Sequence, residues 1–132
     1  MPSPRKTIGI AVVEHAGAYL VGTRGEEGPL PGYAEFPGGK CLPGEEPAIC
    51  ASRECLEETG LCVVPVRELM QVEHEYPHGL LSLHFWLCRP EADDAVRFEH
   101  RGFAWVPADG LANQRFPEAN REVVEMLISG QA

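Results

Sequence analysis

Basic residues are scarce in this chain, with 11 lysines and arginines against 20 aspartates and glutamates and a net charge of −9. Binding to a nucleic-acid backbone needs basic surface, so this charge argues against a nucleic acid polymer as a partner. Long apolar runs are also lacking, since no run reaches the roughly 18 residues that span a bilayer. The apolar stretch behind the charged N-terminus is short and is broken by Glu14 and His15, so it predicts a strand and not a signal peptide. The expected protein contacts no membrane and lies in the cytoplasm.

Cysteine occurs five times, and no two cysteines have the C-x-x-C spacing of zinc and redox sites. The odd number and the expected compartment predict reduced thiols that mostly pack in the interior. The five histidines are scattered, which argues against a dedicated histidine metal site. A length of 132 residues predicts one domain over residues 1–132, as a monomer or a homodimer.

Apolar periodicity predicts five strands interleaved with two helices. Strands are expected at 7–14, 18–24, 61–75, 80–89 and 102–106, and helices from Pro47 to Thr59 and from Pro117 to Gly130. Turns are expected at 15–17, 36–39 and 76–79, with an irregular loop of glycine and proline at 25–34. This order of elements predicts the α/β class, with a mixed β-sheet between helical layers.

Three glutamates of the first predicted helix share one face. Glu54, Glu57 and Glu58 stand at i, i+3 and i+4, so at about 100° per residue they form one narrow stripe. Like charges at this spacing destabilise a bare helix by about 0.2–0.5 kcal/mol per pair, so the cluster favours bound cations. Carboxylate oxygens are ligands that Mg²⁺ prefers, together with substrate phosphates. Glycines 38 and 39 allow a close backbone approach, so a carbonyl oxygen there could join the metal shell. For three glutamates alone, a solvated helix face is the simpler interpretation.

The surrounding residues overturn that simpler interpretation. Residues 39–61, GKCLPGEEPAICASRECLEETGL, resemble the Nudix box. The fixed positions of the box are filled by Gly39, Glu45, Arg53, Glu54, Glu57, Glu58 and Gly60, and Cys55 and Leu61 occupy its apolar positions. With each residue type at about 6–7% usage, a chance match is on the order of 10⁻⁸ per starting position.

Residues 35–40, EFPGGK, are similar to the segment before the box in the MutT branch of the family. The resemblance implies a Nudix α/β/α sandwich. It also implies an Mg²⁺-dependent (or Mn²⁺-dependent) hydrolase that cleaves a nucleoside triphosphate to a monophosphate and pyrophosphate. A small nucleotide is then the expected partner.

The same resemblance implies a role for each matching position. Glu54, Glu57 and Glu58 are the expected metal ligands, with Gly38 adding its carbonyl oxygen. Arg53 is expected to orient the first of these glutamates, and Glu45 to fix the loop on the helix. Glu99, six residues before Trp105, matches a further carboxylate that reaches the metal from a distant loop. The expected catalytic set is therefore Arg53, Glu54, Glu57 and Glu99, and either Glu54 or Glu99 could accept the proton of the attacking water.

Base recognition is expected from positions outside the box. Residues 116–120, FPEAN, are similar to the MutT segment whose asparagine reads an oxidised guanine. The amide of Asn120 can donate to O6 of 8-oxoguanine and accept the hydrogen on its N7. In plain guanine N7 is an acceptor, so the amide oxygen and N7 would face each other unpaired, which disfavours that base. Arg24 stands where that branch has an arginine that contacts base or sugar. Phe36 and Lys40 complete the expected substrate-binding set.

Other substrates remain open, because the box handles only the diphosphate. The alternatives are CTP or dCTP, ADP-ribose, a sugar nucleotide, a dinucleotide and a prenyl diphosphate. This chain departs from the MutT branch at His78 and Gly79, which stand where that branch has an acidic–basic pair that helps close over the nucleotide, so this contribution to closure is absent here. In cytidine-directed relatives an aspartate tends to replace the equivalent of Asn120, which favours a purine here. The alternative from a different class is a non-catalytic nucleotide-sensing module, but such modules usually lose glutamates that this chain keeps.

Overall fold

A computed structural model describes residues 5–77 and 79–130. Its strands are β1 (Arg5–His15), β2 (Ala18–Thr23), β3 (Ala34–Glu35), β4 (Gly38–Lys40), β5 (Val63–Tyr76), β6 (Gly79–Pro90), β7 (Glu99–His100) and β8 (Phe103–Pro107). Its α-helices are α1 (Pro47–Thr59) and α2 (Arg121–Ile128), and short 3₁₀ helices cover Asp93–Ala95, Ala108–Asn113 and Glu118–Asn120. No helix within the described ranges is long and apolar enough to cross a membrane.

The central strand of the sheet is β1. The strand order is β5-β6-β1-β2-β8-β7, with β4 paired to β1 and β3 paired to β2. β1 is parallel to β6 and antiparallel to both β2 and β4, so the predicted mixed sheet is confirmed. The β1–β6 register joins Arg5 to Leu80 and Val13 to Cys88.

Alternate side chains of β1 are buried by different layers, as the period of two in a strand requires. On one face Val13 packs in a cluster with Cys55 of α1. On the other face Val12 packs in a cluster with Val123 and Leu127 of α2. The fold is therefore the expected α/β/α sandwich.

Helix α1 lies unusually close to the backbone of β1. A Cβ added at Gly9 would stand 2.8 Å from both the amide nitrogen of Ala51 and the carbonyl oxygen of Pro47, so only glycine allows this packing. The helix begins at Pro47 and ends before Gly60, which has a left-handed φ of 77° and donates its N–H to the Leu56 carbonyl. Both predicted ends of this helix are confirmed.

The second predicted helix is wrong in its extent. Residues 118–120 form a 3₁₀ turn, and α2 begins only at Arg121 and ends at Ile128. The predicted turn at 36–39 is also incomplete, because short strands β3 and β4 flank it and β4 pairs with β1. Strand pairing of two or three residues has no periodicity of its own, which is why the sequence pattern misses it. His78 of the predicted turn at 76–79 lies outside the described residues.

The prediction of reduced cysteines that mostly pack in the interior is confirmed. All five cysteines are free thiols, and Cys50, Cys55 and Cys88 are buried packing residues. Cys41 is half-buried and Cys62 is exposed.

Candidate active site

The site forms where β4 meets α1. Pairing with β1 places Gly38 opposite Ile10, and the Gly38 N–H donates a hydrogen bond of 2.7 Å to Oε1 of Glu58. A Cβ at Gly38 would stand 2.6 Å from the carbonyl oxygen of Gly9, so the strand must carry glycine here. The close approach of the two strands thus holds the loop backbone against the helix glutamates.

Glu54 rests on the backbone of Gly39. A Cβ added at Gly39 would overlap the Glu54 carboxylate. Because Gly39 has no side chain, this carboxylate can lie directly against the backbone there. Burial raises the pKa of Glu54, Arg53 opposes this shift, and the charge of Glu57 adds to it.

Arg53 ties the loop to the helix. Its Nε and Nη2 donate to the two carboxylate oxygens of Glu45 at 2.8 and 3.0 Å. Its Nη2 also donates to the Lys40 carbonyl at 3.1 Å, and Nη1 donates to both oxygens of Glu57 at 3.1 Å. Nη1 lies 3.7 Å from Oε2 of Glu54, so Arg53 is nearer to Glu57 than to the glutamate that it was expected to orient. The hydrogen bonds from Arg53 lower the pKa of Glu45 to about 2.

Negative charge is crowded around Glu58. Burial raises the pKa of Glu58 to about 7, the charges of Glu35, Glu54 and Glu57 add to the shift, and the Gly38 N–H opposes it. Among the described residues, Glu54, Glu57 and Glu58 do not form a group whose carboxylate oxygens all lie within 4.8 Å of one another. Glu58 accepts the Gly38 N–H and Glu57 accepts Nη1 of Arg53. These carboxylates are hard oxygen donors, the kind of ligand that divalent cations such as Mg²⁺ prefer.

Glu99 lies on β7 at the far edge of the sheet and is exposed. Within the described part of the chain it makes no hydrogen bond or ion pair with the α1 glutamates. Its hairpin is nevertheless tied to α1, because Nη1 of Arg101 donates to the Glu57 carbonyl at 3.1 Å. Arg101 and Gly102 both have positive φ, of 52° and 90°, in the turn before β8. Sequence reasoning missed Arg101, since nothing in the local pattern distinguishes it from a surface charge.

A cavity of about 520 Å³ adjoins the glutamates on the α2 side of the sheet. Its lining includes Gly38, Arg24, Glu35, Phe36, Asn120, Pro117, His74, Leu30 and the apolar side chains Ile8, Ile10, Leu81 and Leu83. Phe36 stacks on Phe116, with ring centroids 4.9 Å apart, so the two predicted segments form one wall. The structure thus brings together three of the four residues predicted to bind substrate.

Two polar side chains face this cavity with bonding capacity to spare. Nε of Arg24 lies 3.8 Å from Oε1 of Glu35, and Nη1 donates to the Pro29 carbonyl at 3.3 Å. The Arg24 Nε is buried without a hydrogen-bond partner among the described residues. Asn120 precedes α2 but makes no side-chain capping bond to that helix. Burial raises the pKa of Glu35, and Arg24 opposes the shift.

Comparison with known proteins decides the family. A family model described as NUDIX domain matches residues 9–126. The chain belongs to the Nudix family. It is 33% identical over 93 residues to the 8-oxo-dGTP diphosphatase of Escherichia coli (strain K12), which covers 70% of this chain and 72% of that protein. It is 30% identical over 95 residues to the 8-oxo-dGTP diphosphatase of Haemophilus influenzae, which covers 72% of this chain and 70% of that protein.

The fold is similar to that of solved Nudix structures. The MutT protein of Methanosarcina mazei Go1 superposes with a TM-score of 0.78 at 24% identity, over 99% of this chain and 98% of that chain. The protein is thus a Nudix pyrophosphohydrolase of the MutT-like kind. Enzymes of this family act on small nucleotides and generally use divalent metals.

Lys40 departs from the expected arrangement in this Nudix enzyme. Its side chain lines a different cavity, of about 500 Å³, together with Arg5 and His84. His74, which sequence reasoning missed, lines the cavity beside the glutamates. His74 pairs with the apolar Leu81 across β5 and β6, which places it on the α2 side of the sheet. This position follows from the register of the two strands and could not be found from the sequence.

Proposed function

We propose that this Nudix enzyme hydrolyses a nucleoside triphosphate to a monophosphate and pyrophosphate, with an oxidised purine triphosphate such as 8-oxo-dGTP as its substrate. The observation that carries the proposal is the shared position of Gly38, which bonds to Glu58 and also lines the cavity that holds Asn120. A base in that cavity would leave its phosphate chain beside the α1 glutamates. The two relatives named 8-oxo-dGTP diphosphatase support the same substrate class.

The cavity is suited to a purine in size and chemistry. Its volume of about 520 Å³ lies within the range usual for small-molecule sites. Apolar walls from β1 and β6 can contact the faces of a base, and Asn120 and Arg24 supply hydrogen bonds at its edge. The amide of Asn120 has an acceptor for the N7 hydrogen that 8-oxoguanine has and guanine lacks.

The residues that would hold Mg²⁺ (or Mn²⁺) are Glu54, Glu57 and Glu58, with the Gly38 carbonyl oxygen and Glu99 as further ligands. A bound divalent ion neutralises the phosphate charge, lowers the pKa of a coordinated water and stabilises the leaving group.

Arg53 keeps the catalytic loop in place while the substrate binds, since it bonds to Glu45, to the Lys40 carbonyl and to Glu57. Water adds across the phosphoanhydride between the α- and β-phosphates, and its proton passes to a carboxylate of the cluster. The bond between phosphorus and the bridging oxygen breaks, so one of the two products, the nucleoside monophosphate or pyrophosphate, keeps the bridging oxygen and the other carries the oxygen of the water. The exposed side of the site admits this water.

A substrate panel tests the proposed specificity. We expect kcat/KM for 8-oxo-dGTP to exceed that for dGTP by more than about tenfold, because plain guanine leaves facing acceptors unpaired. The panel includes CTP, dCTP, ADP-ribose, a sugar nucleotide and a diadenosine polyphosphate. A higher kcat/KM for any of these would reject the oxidised-purine assignment and keep the family chemistry. Absence of turnover with every diphosphate would reject both.

Glu57→Gln tests the metal assignment. We expect kcat to fall by about two orders of magnitude or more, since one charged ligand is lost where phosphate charge must be neutralised. Glu125→Gln, on the exposed face of α2, is the matched control and should retain full turnover. Circular dichroism of both variants should match the parent protein. Near-normal turnover of Glu57→Gln at saturating Mg²⁺ would contradict the assignment.

A further inference from the structure

Two thiols and a carboxylate converge on the side of α1 that faces the loop after β4. The Sγ atoms of Cys41 and Cys50 and a carboxylate oxygen of Glu45 all lie within 4.8 Å of one another. Among the described residues, this is the one group of three side chains of ligand type that comes so close. The backbone around it is well held, because the Cys41 N–H donates to the Thr7 carbonyl at 2.9 Å and the Leu42 N–H to Glu45 at 2.9 Å.

We propose that Cys41, Glu45 and Cys50 form a binding site for a thiophilic metal ion, with Zn²⁺ as the ion that fits best. In a tetrahedral zinc site, with Zn–S of about 2.3 Å and Zn–O of about 2.0 Å, ligand atoms stand about 3.5–3.8 Å apart. The three atoms therefore need to approach one another by no more than about 1.3 Å to enclose the ion. The fourth position is left for water.

Glu45 accepts three hydrogen bonds from the described residues, which leaves bonding capacity on one of its oxygens. Its Oε1 accepts hydrogen bonds from the Leu42 N–H and from Nη2 of Arg53. Its Oε2 accepts one hydrogen bond, from Nε of Arg53 at 2.8 Å. The Sγ atom of Cys50 lies within 4.8 Å of an oxygen of this carboxylate, and the thiol donates to the Gly39 carbonyl at 3.4 Å. A carboxylate oxygen has two lone pairs, so Oε2 keeps one for an ion, and binding of the ion to Cys50 replaces the hydrogen bond from the thiol to Gly39. Each cysteine loses its proton to solvent when the sulfur binds.

Access and charge are both suitable. The cavity of about 500 Å³ that Cys41 and Glu45 help to line opens beside the group, so an ion and its water ligand can enter from the side of Cys41. Two thiolates, one carboxylate and one divalent ion sum to a charge of −1. The guanidinium of Arg53 is bonded to Glu45, and Lys40 lines the same cavity, so that negative charge has cationic neighbours. Thiolates select Zn²⁺ over Mg²⁺, which separates this site from the α1 glutamates.

Co²⁺ is a spectroscopic substitute for Zn²⁺ and tests the site without any enzyme assay. We expect one equivalent of Co²⁺ to produce the sulfur-to-metal charge-transfer absorption of thiolate ligation in the fully reduced protein, and Zn²⁺ to abolish it by displacement. Excess Mg²⁺ should leave the absorption unchanged. Cys41→Ser should reduce the absorption and weaken Co²⁺ binding by at least about tenfold, because even the loss of a residue that hydrogen-bonds to a metal ligand has an effect of about that size.

Cys62→Ser is the matched control, because Cys62 is an exposed cysteine outside the group. Its absorption should equal that of the parent protein. Glu57→Gln should keep the absorption as well, since the proposed site does not use that glutamate. Absence of a charge-transfer band in the parent protein would overturn the proposal, as would a band that survives Cys41→Ser in folded protein. The test relies on the half-buried Cys41 because Cys50 is fully buried and its replacement could disturb folding.

Discussion

Arg53 is the side chain on which most of the loop geometry depends. Its planar guanidinium carries five N–H donors in a fixed fork, and here they reach Glu45, Glu57 and the Lys40 carbonyl. Lysine at this position would keep the charge and lose the fork, so the loop and the helix would no longer share one partner. The proposed metal site at Cys41, Glu45 and Cys50 uses the oxygen of Glu45 that Arg53 leaves partly free.

Asn120→Ala tests base recognition at the scale of one residue. We expect the ratio of kcat/KM between 8-oxo-dGTP and dGTP to fall by about tenfold or more, since a lost hydrogen bond to a substrate removes 1–2 kcal/mol of discrimination. Turnover of the poorer substrate should change much less. Asn113→Ala is the control, because Asn113 is exposed and lies outside the cavity lining. An unchanged ratio in Asn120→Ala would remove the asparagine from the recognition model.

At the scale of elements, glycines set how closely α1, β1 and β4 pack. Gly9 lets the helix backbone touch β1, Gly38 lets β4 touch β1, and Gly39 makes room for the Glu54 side chain. A Cβ added at Gly9 or Gly38 would collide with backbone atoms, whereas a Cβ added at Gly39 would collide with the end of the flexible Glu54 side chain. Backbone cannot yield without disturbing the sheet, whereas a glutamate can rotate away.

Alanine at Gly38 and at Gly39 should therefore have opposite consequences. Gly38→Ala should cost about 1–3 kcal/mol of unfolding free energy, the usual range for overpacking, because its Cβ meets the Gly9 carbonyl. Gly39→Ala should leave stability nearly unchanged and lower Mg²⁺ affinity and kcat, because its Cβ displaces the Glu54 carboxylate. Urea denaturation and Mg²⁺-dependent kinetics on both variants measure the two effects. If Gly39→Ala kept full activity, the proposed role of Glu54 would be wrong.

At the scale of the molecule, the sheet edge and the charge balance set the conditions of stability. The net charge of −9 destabilises the folded protein through repulsion among its acidic side chains, and cations bound at the α1 glutamates would reduce that repulsion. The β7–β8 edge is held by a buried histidine, since Nε2 of His100 accepts the Arg97 N–H at 3.0 Å and its ring meets Trp105 edge-on. Burial lowers the pKa of His100 below its usual 6.5, and the charge of Arg97 adds to the shift.

This shift predicts a loss of stability in acid. Below about pH 6.5 the unfolded chain takes up a proton that the folded His100 resists, so the stabilisation is complete above that pH and decreases as the pH falls. In His100→Gln, the unfolding free energy should therefore decline less between pH 7 and pH 5 than in the parent protein. Between pH 7 and pH 8 the two proteins should show equal slopes. Parallel curves over the whole range would exclude His100 as the cause.

The box and the periodicity of apolar residues together determine much of what the structure has. The helix bounds at Pro47 and Thr59 follow from local signals, proline at the start and a left-handed glycine at the end, which act over one turn of chain. The mixed sheet and the α/β/α layers follow from the same kind of pattern. The start of α2 could not be predicted, because α-helical and 3₁₀ turns share the same apolar spacing over three residues.

By itself, the sequence determined the family chemistry, since seven fixed residue types at fixed spacings depend only on the order of residues along the chain. Tertiary structure decided which of those residues touch. It placed Lys40 in a cavity away from Asn120, bound Arg101 to the end of α1, and brought Cys41 and Cys50 together without a metal-binding spacing. The physical reason is that a side chain's neighbours across a sheet or a loop depend on strand register and helix rotation, and one residue of slip would exchange them.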